Sequence, residues 1–238
     1  MKYTVKNKLY PALALGMGAV GALARAALYR IVPEGGMLPK FHPLILLCWV
    51  LAAAFAIALI PAVRKAKPSS EFRRSFPKTT NLLPLGVIAG AGLLVTVLQG
   101  LTLSSKLHLV WLILGLLSVP ALVIIGWLRT RGSKPVSWLY SVVCLFYGVH
   151  LICCYQSWSA NPQTIDYSFQ LLACACLILA AYQRSAFSAG LGQRRMHLFF
   201  SLMAGFFCTA CIVHSDFPWL YLTQGAFFLC DLTFRNKK

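Results

Sequence analysis

The sequence predicts an all-α membrane protein whose helices form one polytopic bundle. Of its 238 residues, 59% are hydrophobic and 11% are charged, whereas soluble domains have about 25% charged residues. Eight separate apolar stretches approach the length of about 20 residues that a helix needs to cross the hydrocarbon layer. A soluble globular protein, a disordered chain and a small disulfide-linked scaffold are therefore excluded. We expect about eight transmembrane helices in a single integral membrane domain, 1–238.

Small residues and prolines characterise the first four predicted helices. The first, Leu9–Val32, follows a short basic stretch and has small residues at every fourth position from Ala14 to Ala26. Such residues let helix backbones approach closely. The third, Leu82–Leu103, repeats the pattern with two glycines, so we expect both to be inner helices. The other two are Pro43–Val63, which begins at proline, and Leu107–Leu128, which Pro120 should kink.

The bounds of the second four predicted helices are set by the polar residues that flank them. The fifth follows Pro135 directly, at a position where a missing N–H has no helical partner to lose. The last three are the shortest. The predicted bounds are Val136–Trp158, Ile165–Tyr182, Met196–Val213 and Phe217–Phe234.

Basic residues in the connecting segments predict how the bundle is oriented. Lys and Arg in short loops tend to stay on the cytoplasmic side. With eight helices, eighteen of the 22 basic residues fall on one side, and only Lys40 and Lys106 fall in loops on the other. Both termini and the basic loop 64–81 are therefore predicted to be cytoplasmic. The segments that carry the eighteen are the N-terminus, 64–81, 129–135, 183–195 and the C-terminal tail.

This placement also explains the net charge of +17 without a nucleic-acid partner. Basic residues beside a membrane contact anionic lipid headgroups, with about 1 kcal/mol for each residue. We therefore expect a bilayer with anionic headgroups as the main partner. Other membrane subunits are a further expected class, because the small-residue helix faces and basic loops offer contact surfaces.

Arg25 is the most informative residue, because it lies inside the first predicted helix. A charge at the centre of a membrane helix costs at least about 2.5 kcal/mol, and such a charge often faces a partner or a wet cavity. Two interpretations are open. Either the side chain reaches external headgroups or pairs with Asp166, or it binds the anionic group of a ligand in a pocket that opens outward.

Four further polar residues are predicted at a similar depth on the external side. Asp166 and Gln170 lie four positions apart and therefore share a helix face. Together with Arg25, they define the predicted site for a small polar or anionic ligand. The alternative is ordinary hydrogen bonding between helices, worth about 0.6 kcal/mol for each bond. The four residues are Gln99, His150, Asp166 and Gln170.

No motif predicts a cofactor, a metal or a catalytic residue. Walker, Rossmann, HExxH and GxSxG patterns are absent from the sequence. Four histidines map to the external side without the local spacing of zinc ligands, which favours interfacial histidines. They are His42, His108, His150 and His214.

One of two pairs of cysteines has a spacing that is typical of redox proteins. Cys208 and Cys211 form a CxxC, and Cys153 with Cys154 lies at a comparable depth. The spacing resembles the cysteine relay of membrane thiol oxidoreductases such as the vitamin K epoxide reductase family, which implies electron transfer to a quinone. Cysteines three apart also pack as small apolar residues on one helix face. We expect the CxxC not to be an obligatory redox pair.

Two stretches carry a resemblance to known proteins. The stretch from Tyr155 to Gln170 and the one from Ala181 to Gly192 resemble uncharacterised multi-pass proteins of Gram-positive gut bacteria, and the likeness also touches Arg25 to Pro43. It implies a bacterial cell-membrane location but no activity. Substrate-binding subunits of energy-coupling-factor vitamin importers are similar in being small, helical and free of coupling carboxylates, although they usually have six helices.

Three classes of function remain open at this point. A solute-binding or transport subunit would use the external polar residues, and this class is favoured. A membrane enzyme, which would use the cysteines or histidines, is less favoured. An interaction protein would use the small-residue helix faces and the basic loops.

Overall fold

A computed structural model of the protein describes residues 2–31, 42–66, 70, 72, 76, 82–102, 107–158, 164–213 and 215–233. The described residues form eight α-helices, and a short 3-10 turn, Gly100–Thr102, follows the third helix. In chain order the helices are α1 (Lys2–Ile31), α2 (Pro43–Lys65), α3 (Leu82–Gln99), α4 (His108–Thr130), α5 (Ser137–Trp158), α6 (Thr164–Ala189), α7 (Arg194–Cys211) and α8 (Pro218–Thr233). The predicted basic loop 64–81 lies mostly outside the described residues.

Six of these helices, α1 to α6, are long and apolar enough to cross a membrane. They confirm the all-helical class and indicate a multi-pass membrane protein. The last two differ, because α7 begins with two arginines and α8 has only 16 residues. Eight membrane crossings and cytoplasmic termini therefore stay predictions.

The end of α6 differs from its predicted position. The helix continues to Ala189, about two turns past the predicted end at Tyr182. The polar run that follows Tyr182 is typical of a loop in sequence, but Arg184 and Ser185 are buried. Because these side chains find partners on neighbouring helices, the polar run stays helical.

Glycine ends two helices at the same end of the bundle. Gly132 and Gly190 have φ values of 76° and 85°, in the left-handed region that glycine adopts without strain. After each glycine, an N–H returns to a carbonyl in the last helical turn: Ser133 to Leu128 at 2.9 Å and Leu191 to Ala186 at 2.8 Å. This pattern is the Schellman cap, and it stops α4 and α6 sharply.

Small residues form the closest helix crossings. A Cβ atom on Gly86 of α3 would lie 2.8 Å from the Leu122 carbonyl oxygen, and one on Gly126 of α4 would lie 2.8 Å from the Leu82 carbonyl oxygen. On α1, a Cβ on Gly18 would lie 2.8 Å from the Phe206 carbonyl oxygen of α7. The small-residue faces of α1 and α3 are thus contact faces, as the sequence predicts.

The central helix is α7, which packs against α1, α2, α6 and α8. Its residues 201–208 are all buried. Since other helices surround it, α7 does not need the apolar lipid-facing surface of an outer helix. The predicted inner helices, α1 and α3, each keep an exposed face with residues such as Leu23 and Leu98, so their predicted interior position is wrong.

Contacts between helix ends define two ends of the bundle. At the end that we call the basic end, α4, α6 and α8 finish and α5 and α7 begin; Arg129 there contacts Asp231, and Ser137 contacts Ser185. At the other end, the distal end, α1 and α7 finish and α4 and α6 begin, and Arg25 contacts Cys211. The two ends carry different polar clusters.

Candidate functional site

Arg25 lies inside the bundle near the distal end, with only 5% of the residue exposed. Its Nη1 atom is 3.9 Å from the Sγ atom of Cys211 on α7. Its Cζ atom is 5.6 Å from the centre of the Phe169 ring on α6. The predicted direction of Arg25, into the bundle and within reach of the sixth helix, is confirmed.

The first turns of α6 carry two of the other predicted polar residues, Asp166 and Gln170. Gln170 follows Phe169 directly and is 1% exposed. Asp166 belongs to the first turn of the helix, but its side chain lies outside the described part of the chain. Pairing of Arg25 with Asp166 therefore stays a prediction, and so does ligand binding by this group of residues.

His150 occupies a different environment, an aromatic cluster at the distal end. Its Nδ1 atom accepts a hydrogen bond of 3.1 Å from Nε1 of Trp111, which places the ring proton on Nε2. Nε2 lies 3.6 Å from the Sγ atom of Cys154. Phe146 and Phe217 pack against the same imidazole. Both ring nitrogens thus contact protein groups, an arrangement typical of a core histidine.

Gln99 is not brought next to Arg25. It is the last residue of α3, and its side chain is exposed. The helix packs mainly against α4 and α8. The predicted set therefore divides into Arg25 and Gln170 near the start of α6, His150 among aromatic rings, and Gln99 on an outer surface.

The cysteines are all free thiols, and none of the nine is exposed. Cys211 contacts the Arg25 guanidinium. Cys208 fills space beside α8, where a Cβ on Gly225 would lie 2.8 Å from the Cys208 Cβ. Packing accounts for this thiol. Within the described residues, no group of three or more His, Cys, Asp or Glu side chains could hold a metal ion.

The structure also contains a buried cluster that sequence reasoning missed, which we call the Arg–Asp–Arg cluster: Arg129, Asp231 and Arg184 at the basic end. Arg129 Nη2 donates to Asp231 Oδ1 at 2.8 Å, and Arg184 Nη2 lies 3.2 Å from Asp231 Oδ2. The three side chains are no more than 3% exposed. The sequence feature that could have indicated this cluster is Asp231, which is a rare acid on a side dominated by Lys and Arg.

Aromatic rings enclose this cluster. The Arg129 Cζ atom lies 4.9 Å from the centre of the Phe76 ring, and the Arg184 Cζ atom lies 4.0 Å from that of Phe228. Arg129 Nη1 also donates to the Phe76 carbonyl oxygen at 2.9 Å. His197 of α7 packs on the other side of Phe76, with ring centres 4.9 Å apart. Cation–π contacts partly replace the water that the guanidinium groups lose.

No protein-family model, curated protein sequence or solved structure matches this chain. Function is therefore inferred from the residues of the bundle itself.

Proposed function

We propose that the protein is a small-molecule-binding or transport subunit of the cell membrane, in which Arg25 binds the anionic group of a small polar solute. The observation that supports this proposal is the burial of Arg25 within a membrane-compatible helix. A charged side chain in such a place is retained at a free-energy cost, and it commonly marks a ligand or ion site.

The chemistry around Arg25 suits an anionic ligand. A guanidinium has five N–H donors in a planar fork that matches carboxylate and phosphate groups. Its contacts include the Cys211 thiol and the Phe169 ring. Gln170 adds a buried amide one residue from Phe169. An anionic oxygen would form short, charge-assisted hydrogen bonds with these donors.

The position of Arg25 favours entry of the solute from the distal side. Arg25 precedes the end of α1 at Ile31 by about 9 Å at helical rise, so a solute would cross only part of the bundle. The distribution of Lys and Arg predicts that this side is external and that the basic end contacts anionic headgroups. The solute would therefore come from outside the cell.

The experiment is untargeted mass spectrometry of small molecules that co-purify with the protein. We compare the unmodified protein with Arg25→Ala, Arg25→Lys and the matched control Arg30→Ala, since Arg30 lies on the exposed side of the same helix. An anionic compound should be retained by the unmodified protein and by Arg30→Ala. It should be reduced in Arg25→Lys, which keeps the charge but loses the fork, and absent from Arg25→Ala.

Two results would contradict the proposal. Equal retention by all four proteins would make Arg25 a structural residue, most simply the partner of Asp166. Equal loss in Arg30→Ala and Arg25→Ala would indicate binding to general surface charge. Thermal unfolding of each variant shows whether a loss of ligand merely reflects a loss of folded protein.

A further inference from the structure

The Arg–Asp–Arg cluster at the basic end has more hydrogen-bond donors than its own acceptors use. We propose that it is a second binding site, for an oxyanion of the phosphate type. This site is separate from Arg25 and does not depend on the function proposed above.

The first step in the argument is how Asp231 is shared. Each of the two arginines gives the carboxylate a single nitrogen, so neither forms a two-pronged pair with it. Arg184 uses Nη2 both for its ion pair with Asp231 and for its described hydrogen bond, to the Phe228 carbonyl oxygen at 3.4 Å. The Nε atoms of Arg129 and Arg184 are buried and have no hydrogen-bond partner within the described residues. One donor edge of each fork is therefore unused.

Two other buried polar groups close to the cluster are also unused. His197 Nε2 and Ser188 Oγ make no hydrogen bond to any part of the chain that the structure describes. His197 Nδ1 lies 3.3 Å from Ser201 Oγ. When that hydroxyl donates, Nε2 carries the ring proton and becomes a further donor.

These groups belong to one enclosed region. Ser188 lies one turn after Arg184 on α6 and therefore on the same helix face. The Phe76 ring lies 4.9 Å from the Arg129 Cζ atom and 4.9 Å from the His197 ring. Phe187, beside Ser188, packs on both the Phe76 and His197 rings. The side chains of Arg129 and His197 thus pack on one ring, Phe76, and Ser188 follows Phe187, which packs on that ring as well.

The charge of the cluster also favours an anion. Within the part of the chain that the structure describes, two guanidinium groups face one carboxylate, which leaves one positive charge in excess. Among the acids with described side chains, the other is Asp216, which lies between α7 and α8 at the distal end. The C-terminal ends of α4, α6 and α8 offset part of the excess through their dipoles, but those dipoles provide no acceptor for the Nε groups.

An oxyanion supplies both the charge and the acceptors. Guanidinium forks bind oxygens of carboxylates and phosphates with matched geometry, and donors that approach from several directions suit an anion with several oxygens. The phosphate can come from free inorganic phosphate or from an anionic lipid headgroup. Basic pockets between membrane helices bind headgroups by the same chemistry.

The test uses the full chain in detergent at pH 7 and constant ionic strength. One arm measures binding of radiolabelled inorganic phosphate, and the other measures binding of phosphatidic acid against phosphatidylcholine in mixed micelles. The variants are His197→Gln and Ser188→Ala, which leave the Arg–Asp–Arg bridges intact. The matched control is Arg131→Gln, because Arg131 is exposed near Arg129 and stacks on Trp127 at 3.9 Å.

We expect binding in one of the two arms. The affinity should be the same for the unmodified protein and for Arg131→Gln. His197→Gln should weaken it by about tenfold, the effect of losing one hydrogen bond to an anion, and Ser188→Ala should weaken it by several fold. Binding in the phosphate arm would identify a free anion, and binding only in the lipid arm would identify a headgroup. The absence of binding in both arms, an unchanged affinity in both variants, or equal weakening by Arg131→Gln would overturn the proposal.

Discussion

The two ends of the bundle show two ways in which a buried arginine is accommodated. At the basic end, Arg129 and Arg184 share the carboxylate of Asp231. At the distal end, Arg25 is just as buried, and its contacts include a thiol and an aromatic ring. The basic-end arginines are thus paired with a carboxylate on another helix, whereas Arg25 packs against side chains of α6 and α7.

Burial alone therefore does not assign a role to an intramembrane charge. The acceptors around the guanidinium decide it. Where a carboxylate is present, the arginine links helix ends, because Arg129, Arg184 and Asp231 come from three different helices.

The largest contrast between the ends should be in accessibility. A cysteine in place of exposed Ser70 should react with a membrane-impermeant maleimide only after permeabilisation, whereas one in place of exposed Asp216 should react in intact cells. Background labelling should be low, since none of the native cysteines is exposed. Five helices separate the two positions. Labelling of both from one side would mean that one of these helices, most simply α7, does not cross the membrane.

The next largest effect should come from Asp231→Asn. This change leaves two buried guanidinium groups without a carboxylate, and we expect the free energy of unfolding to fall by about 3–5 kcal/mol. Thermal or denaturant unfolding in detergent measures it. Asp216→Asn is the matched control at the distal end, where an exposed carboxylate should contribute no more than about 1 kcal/mol. Similar losses in both variants would remove the distinction between the two ends.

Replacement of one arginine should be milder than loss of the acid. Arg184→Met leaves a one-to-one pair of Arg129 and Asp231, and methionine can pack on the Phe227 and Phe228 rings that Arg184 now contacts. We expect a loss of about 2 kcal/mol in the free energy of unfolding. The same unfolding measurement applies. A loss larger than that of Asp231→Asn would show that the cluster has no excess positive charge.

The smallest effect should be seen in the aromatic cluster at the distal end. His150→Phe removes the acceptor of the Trp111 N–H and should lower the free energy of unfolding by about 1–2 kcal/mol. In a Trp111→Phe background, His150→Phe should lower the free energy of unfolding by a smaller amount, because no buried donor is left unpaired. Equal losses in both backgrounds would show that the hydrogen bond does not contribute to stability.

Much of the architecture could be read from local sequence. The starts at Pro43 and Leu82 agree with the prediction, and those of the other helices from α4 onward lie within two residues of it. The inward direction of Arg25 was also predicted. These features depend on runs of about 20 residues, over which the length of an apolar segment and the cost of a charge are local properties.

The other features of the bundle depend on which side chains meet across distant segments, so the local sequence does not show them. Arg129 and Asp231 are 102 positions apart, and nothing in either neighbourhood shows that they pair. The extension of α6 is related to the same fact, since Arg184 is buried at the end of this helix beside Asp231. The central place of α7 has a related cause. Its place follows from its contacts with α1, α2, α6 and α8, which the hydropathy of its own sequence does not show.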